Sequence, residues 1–168
     1  MPQSTAIFKQ PNSHHCFVCG IKNPYGLNLQ FYDDGKGEVT STYTVSERYQ
    51  GYPGTVHGGI VASMLDEVVG RTLMIGDPDH FGVSAKLTVR YRKPIPLNTP
   101  LQLVGRIIRR RGRSVVAKAE LRLPDESIGA EAEAIIIDAP GFLVDEEALD
   151  RLGWKVQPDN EVSQGSEK

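Results

Sequence analysis

The stretch GTVHGGIVASMLDEVVGRTL, residues 54–73, decides how this chain is read. At about 100° per residue, Ile60, Val61, Met64, Leu65, Val68 and Val69 fall in one broad apolar stripe, the pattern of a helix laid on a core. The opposite side is less ordinary. Gly59, Ser63, Asp66 and Gly70 share a narrow sector, a small-residue track with one carboxylate in it. Glycine inside a helix costs roughly 0.5–1 kcal/mol relative to alanine, so the track predicts close approach by a ligand or another chain. Glu67 lies about 100° round from Asp66 and is read as a solvated charge on the polar rim.

On either side of this helix the period changes to two. In VSAKLTVRY, residues 83–91, Val83, Ala85, Leu87, Val89 and Tyr91 point one way while Ser84, Lys86, Thr88 and Arg90 point the other. A turn at PIPLNTP (94–100) leads to LQLVGRIIRRR (101–111) and RSVVAKAELRL (113–123), and SIGAEAEAIIID (127–138) supplies a last strand. Ahead of the helix, GLNLQFYDD and GEVTSTYTV read as a hairpin. Connections this short demand antiparallel neighbours. With one strong helix to cover them, the strands predict an α+β fold: an antiparallel sheet of about five to six strands wrapped around one long central helix. VDEEALDRLGW (144–154) adds a short surface helix.

The bulk numbers narrow the function. A length of 168 residues with 39% apolar content suits one domain, expected at 13–156 between a loose arm at 1–12 and a polar tail at 157–168. A formal charge of -2 gives no global case for nucleic acid or an anionic membrane as partner. No apolar run is long enough to span a bilayer and no leader pattern opens the chain, so the expected location is cytoplasmic. Two cysteines, Cys16 and Cys19, fit a reducing compartment.

The chemistry concentrates at the two ends of the helix's polar face. His57 precedes the first turn, where unpaired N–H groups and the positive end of the helix dipole favour developing negative charge. Gly58 and Gly59 let a reacting group approach those N–H groups without meeting a Cβ, a candidate site for an oxyanion. Asp66 offers a base or nucleophile. Eight residues separate Gly58 from Asp66, which at about 1.5 Å per residue is roughly 12 Å along the axis. Groups serving one carbonyl must each lie roughly 3 Å from the reacting atoms, so one helix cannot easily supply both. Gly58 of one protomer is therefore expected to meet Asp66 of another across a two-fold axis, giving an obligate dimer with sites at its interface.

GYPGTVHGGIVASMLDEVVG followed by VSAKLTVRYRKPIPLNTPLQLVGRI resembles the hot-dog fold acyl-CoA thioesterases, in the branch of phenylacetate-pathway and mammalian thioesterase-superfamily members. The likeness spans roughly residues 16–140 and rests on His-Gly-Gly with an aspartate nine residues after the histidine. It implies hydrolysis of an acyl-CoA to free acid and CoA, no metal or cofactor, and protomers paired through their sheets into dimers and often tetramers. It further implies that the Gly58 N–H polarises the thioester carbonyl, that Asp66 acts as general base or nucleophile, that Ser84 holds the carboxylate or the water, and that His57 lies near the thioester. Gly59 and Ser63 fall on the substrate side. Gln50, in YQGYPGTV, stands near the Asn or Gln that some relatives carry, slightly out of register. In a regular strand Ser84 points away from the Val83/Leu87 face, so it either faces the partner protomer or is turned by a bulge.

CoA carries phosphates, for which Arg90, Arg92 and Lys93, and Arg106, Arg109, Arg110, Arg111 and Arg113 in RIIRRRGR, are candidates. The competing role for either cluster is a charged strand edge that discourages aggregation. HHCFVCG (14–20) holds a Cys-x-x-Cys after His14 and His15, but only these local residues are at hand for a metal, and the expected role is structural: buried thiols that anchor the arm. His80 is expected in an exposed loop. Two other readings compete with the thioesterase: a hydroxyacyl-thioester hydratase or dehydratase on the same scaffold, and a non-catalytic acyl-CoA binding module.

Overall fold

A computed structural model describes residues 7–159. Its central feature is helix α1, Gly58–Arg71, which buries Val61, Met64, Leu65, Val68 and Val69 and runs on into a 3-10 turn at Thr72–Met74. Ile60 packs against the same core from a partly buried position. The helix starts where the sequence predicts, because the His57 side chain caps it by accepting the Gly59 N–H.

The strands are β1 (Phe8–Lys9), β2 (Tyr32–Asp33), β3 (Glu38–Thr44), β4 (Gly82–Tyr91), β5 (Pro100–Arg111), β6 (Ser114–Arg122) and β7 (Ile128–Asp138). All pair antiparallel in one sheet of order β1-β2-β3-β5-β6-β7-β4. This is the expected helix-and-sheet fold with seven strands rather than five or six, since β1 and β2 are two-residue pieces that extend one edge. Because α1 joins β3 to β4, which lie on opposite sides of β5–β7, the helix must cross the middle of the sheet.

That crossing is possible because the sheet beneath the helix is lined by small residues. Ala117 and Ala119 on β6 and Ala130, Ala132 and Ala134 on β7 are all buried. At Gly105 on β5, a Cβ would stand 2.6 Å from Val68 Cγ1 and 3.0 Å from the Val68 carbonyl oxygen, so the helix lies directly on the glycine. Larger residues at the periphery, among them Phe31, Leu101, Leu103, Leu121 and Ile136, complete the core. The short second helix expected in 144–154 is α2 (Glu146–Leu152); Asp145 caps it and it ends at Gly153 in the left-handed region.

The expected arm and tail fall only partly within the described residues. Residues 1–6 and 160–168 lie outside the described residues, but residues 8–12, assigned to a loose arm, form β1 and a buried edge. Gln10 is 2% exposed and donates to Asp33 Oδ2 at 3.0 Å; Asn12 is fully buried and donates to the carbonyls of Cys19 and Leu29 at 2.7 and 2.9 Å. Polar composition suggested solvent, whereas these amides replace water as partners for backbone and carboxylate groups. At the other end Gln157 is buried and Asp159 pairs with Lys9 at 2.6 Å.

Candidate active site

Asp66 lies halfway along α1, on the side turned toward β4. The Ser84 hydroxyl donates to its Oδ1 at 2.7 Å. Strict alternation along β4 would carry Ser84 to the other face, and the structure resolves this with a bulge: Ser84 pairs with Ile136, but Lys86, two residues on, pairs with Ile135. The bulge turns Ser84 in toward the helix while Leu87 and Val89 keep packing on the core. Asp66 and Ser84 share an open cleft of about 340 Å³ with Ala62, Ser63, Ala85, Lys86 and Leu87. The carboxylate is thus held at one oxygen and faces an open cleft wide enough to admit water or substrate.

The head of the helix is organised around a different strand position. His57 Nδ1 accepts the Gly59 N–H at 3.0 Å, which places the proton of a neutral imidazole on Nε2 and leaves that N–H facing outward. The backbone N–H groups of Ile60 and Val61 are both taken by the His57 carbonyl. Among the described residues the Gly58 N–H donates to no group, and it is the first free donor of the helix. The Tyr91 hydroxyl donates to the Gly58 carbonyl at 2.7 Å and so fixes that peptide's orientation. Tyr91 was legible in the sequence only as an inward position of β4; nothing in its spacing signalled the bond to Gly58.

Several sequence-nominated residues lie elsewhere or serve locally. Ser63 donates back to the Gly59 carbonyl at 2.8 Å, and Gln50 Oε1 accepts the Gly54 N–H at 3.1 Å, which steadies the loop before the helix. Gly59 is exposed on the helix's first turn. Arg90 lines a cleft on the outer face of the sheet with Arg106, Lys118, Glu120, Glu131 and Glu133, on the side away from Asp66. Arg92 is ion-paired to Glu131 and Arg106 to Glu120. Arg110 and His80 both reach Asp138, at 3.6 and 2.9 Å, so His80 is partnered and only partly exposed. Glu67, assigned to a solvated rim, instead binds Arg71 at 2.9 Å and faces Cys16.

Cys16 and Cys19 lie together behind the helix. The hydrogen bond from Cys19, aided by backbone N–H groups of Val18 and Cys19, draws the Cys16 thiol down to about 7. The same bond, together with burial, pushes Cys19 far up. Anchorage of the N-terminal segment is shared with Arg71, whose Nη1 donates to the Pro11 carbonyl at 2.6 Å.

β4 is an edge of the sheet ten residues long, with Val83 and Tyr91 exposed on it. A long unpaired edge beside Asp66 and the helix head is a surface that another chain can complete.

One long helix crossing a seven-stranded antiparallel sheet is the hot-dog fold. Residues 53–130 match the thioesterase superfamily, so the likeness first seen in the His-Gly-Gly motif and the strands after it is shown over this segment. A solved thioesterase superfamily protein is similar at 33% identity and a TM-score of 0.68, over 74% of this chain and 61% of that one. The acyl-coenzyme A thioesterase THEM4 of Xenopus laevis is 29% identical over 64% of this chain, and this chain spans about half (48%) of its length. A hypothetical thioesterase of Streptococcus pneumoniae, solved with coenzyme A, shares the fold at 19% identity and a TM-score of 0.57, over 61% of this chain and 79% of that one.

Proposed function

We propose that the chain hydrolyses acyl-CoA thioesters, with Asp66 as the reacting carboxylate and the Gly58 N–H as the oxyanion donor. The observation that carries this reading is the Ser84–Asp66 hydrogen bond at 2.7 Å in an open cleft, on a helix whose head keeps the Gly58 N–H free. The match to the thioesterase superfamily and the likeness to THEM4 support thioester hydrolysis in general.

The two groups belong to two protomers. Since about 12 Å of helix separates them within one chain, the carbonyl held by Gly58 of one protomer meets Asp66 of the other. The exposed edge of β4 and the Gly59/Ser63/Gly70 track are the surfaces through which such a dimer would form. As general base, Asp66 takes a proton from water as the water oxygen adds to the carbonyl carbon; the Gly58 N–H donates to the oxygen that becomes negative. Collapse then breaks the C–S bond, releasing the acid and a CoA thiolate. A thiolate needs no strong acid to leave, so one carboxylate and one oxyanion donor suffice. If Asp66 attacks directly, the same residues serve and water resolves the anhydride afterwards.

Ser84 is a positioning residue: by occupying Oδ1 it leaves Oδ2 to meet water. Lys86, exposed on the rim of the same cleft, carries no ion pair among the described residues and is our candidate for a CoA phosphate; Arg109, Arg111 and Arg113, also without ion pairs among the described residues, are further candidates. The hydratase alternative would use His57 as its acid or base, and here that ring caps the helix through Nδ1. The test is release of free CoA from a panel of acyl-CoAs by the wild-type chain. Release with at least one acyl group supports the reading, and a panel with none removes it.

A further inference from the structure

We propose that Cys16, Cys19 and Glu67 form a binding site for a thiophilic divalent cation of the zinc class. This goes beyond the thioesterase reading and does not rest on it. The sequence supplies two sulfurs close together; the fold adds the third donor, bringing Glu67 from the middle of α1 against a loop fifty residues earlier. The two sulfurs and one Glu67 oxygen all lie within 4.8 Å of one another, and Cys16 Sγ is 3.8 Å from Glu67 Oε2. A tetrahedral zinc ion, with bonds of about 2.0–2.3 Å, sets its ligand atoms roughly 3.5–3.8 Å apart, so shifts of about 1 Å or less would close the triangle.

The loop is shaped for sulfur that carries negative charge. The backbone N–H groups of Val18 and Cys19 both point at Cys16 Sγ, at 3.3 and 3.4 Å. The turn that aims them closes through the Gly20 N–H on the Cys16 carbonyl at 2.9 Å, and a Cβ on Gly20 would stand 2.3 Å from that oxygen. Only glycine allows it. Cys19 Sγ lies 3.6 Å from the Ser13 hydroxyl, which accepts the Cys16 N–H at 3.2 Å and can turn its own proton to the sulfur once that thiol is ionised. Cys16 Sγ is thus served by two backbone donors, and Cys19 Sγ has a hydroxyl within reach.

Charge also balances. Two thiolates and one carboxylate around a dication leave one negative charge, and buried Arg71, bound to the other Glu67 oxygen at 2.9 Å, cancels it. The carboxylate is divided, with Oε1 on Arg71 and Oε2 facing the sulfurs, the arrangement in which an outer partner orients a ligand. Cys16 is only partly buried, which leaves a fourth position for water. The neighbouring histidines take no part: a Cβ on Gly153 would meet the His14 ring, and His15 is exposed. Each thiol releases its proton to solvent as the metal binds.

The experiment uses the untagged full chain, purified under reducing conditions without chelator, and analysed for metal by mass spectrometry after dialysis. The expected result is one zinc per chain. After stripping with chelator, titration with cobalt(II) should give a thiolate-to-cobalt charge-transfer band and tetrahedral visible bands that saturate at one equivalent and vanish on adding zinc. Cys19→Ser should abolish the charge-transfer band, and Glu67→Gln, checked for retained fold by circular dichroism, should weaken zinc by at least about tenfold. Wild type with both thiols titratable and no thiolate–cobalt band would overturn the site, as would a Cys16–Cys19 disulfide formed in place of metal binding. Undiminished zinc affinity in Glu67→Gln would overturn the three-residue assignment.

Discussion

Replacing Arg71 by methionine tests whether the N-terminal segment is held to α1 as described. Its guanidinium is buried, with Nε on Glu67 at 2.9 Å, Nη1 on the Pro11 carbonyl at 2.6 Å, and its centre 4.6 Å from the Phe31 ring and 5.0 Å from the Trp154 ring. Methionine keeps most of the stem volume, so the loss is electrostatic rather than a cavity. The charge-assisted bond to Pro11 is worth about 2 kcal/mol and the ring contacts about 1 kcal/mol. The Glu67 pair adds only about 1 kcal/mol, since Glu67 is 21% exposed and partly screened. Against this stands the relief of desolvating a cation whose Nη2 has no partner among the described residues, about 1–2 kcal/mol. The net expectation is a destabilisation of about 2–3 kcal/mol, read from urea unfolding in the presence of chelator so that no metal contributes. In a double-mutant cycle with Glu67→Gln the coupling should be about 1 kcal/mol. An Arg71→Met chain as stable as wild type, with unchanged slope, would refute this account of the segment.

Three further outcomes are expected. Ser84→Ala should lower kcat about tenfold with little change in KM, because it frees the carboxylate without removing it, and steady-state kinetics with the best acyl-CoA checks this; a change in KM alone would contradict a positioning role. Gly105→Ala should destabilise by about 1–3 kcal/mol in chemical unfolding, since its methyl has no room against Val68, while Gly70→Ala, where a Cβ meets nothing within 4 Å among the described residues, should leave monomer stability equal or higher. Sedimentation equilibrium should give at least twice the chain mass of 18.5 kDa, and a fully active monomer would sink the shared site.

The helix, its buried stripe and the strands from 83 onward were legible because each carries a clean period, 3.6 or 2, over ten or more residues. The Asp66–Ser84 pair was legible as two candidates, but their meeting required a bulge that a strict alternation denies. Polar residues at the N-terminal end misled for a related reason. Gln10 and Asn12 look like solvent-facing residues until the backbone groups they satisfy are seen, and those come from segments distant in sequence. Glu67 was misread because the partners that claim it, Arg71 and Cys16, approach from one helical turn on and from the N-terminal loop. The arginines were plain in the sequence, yet which face of the sheet each occupies depended on register, and ion pairs with Glu131 and Glu120 claim two of them.

The proposed chemistry stands on Asp66 as the reacting carboxylate. Free thiol released from acyl-CoA by wild type and by Asp66→Asn, a substitution of nearly equal size, tests it most directly. Wild type should release thiol, and the variant should show a fall in kcat of about 10²–10⁴ with the fold retained by circular dichroism. Turnover by Asp66→Asn at the wild-type rate would contradict it.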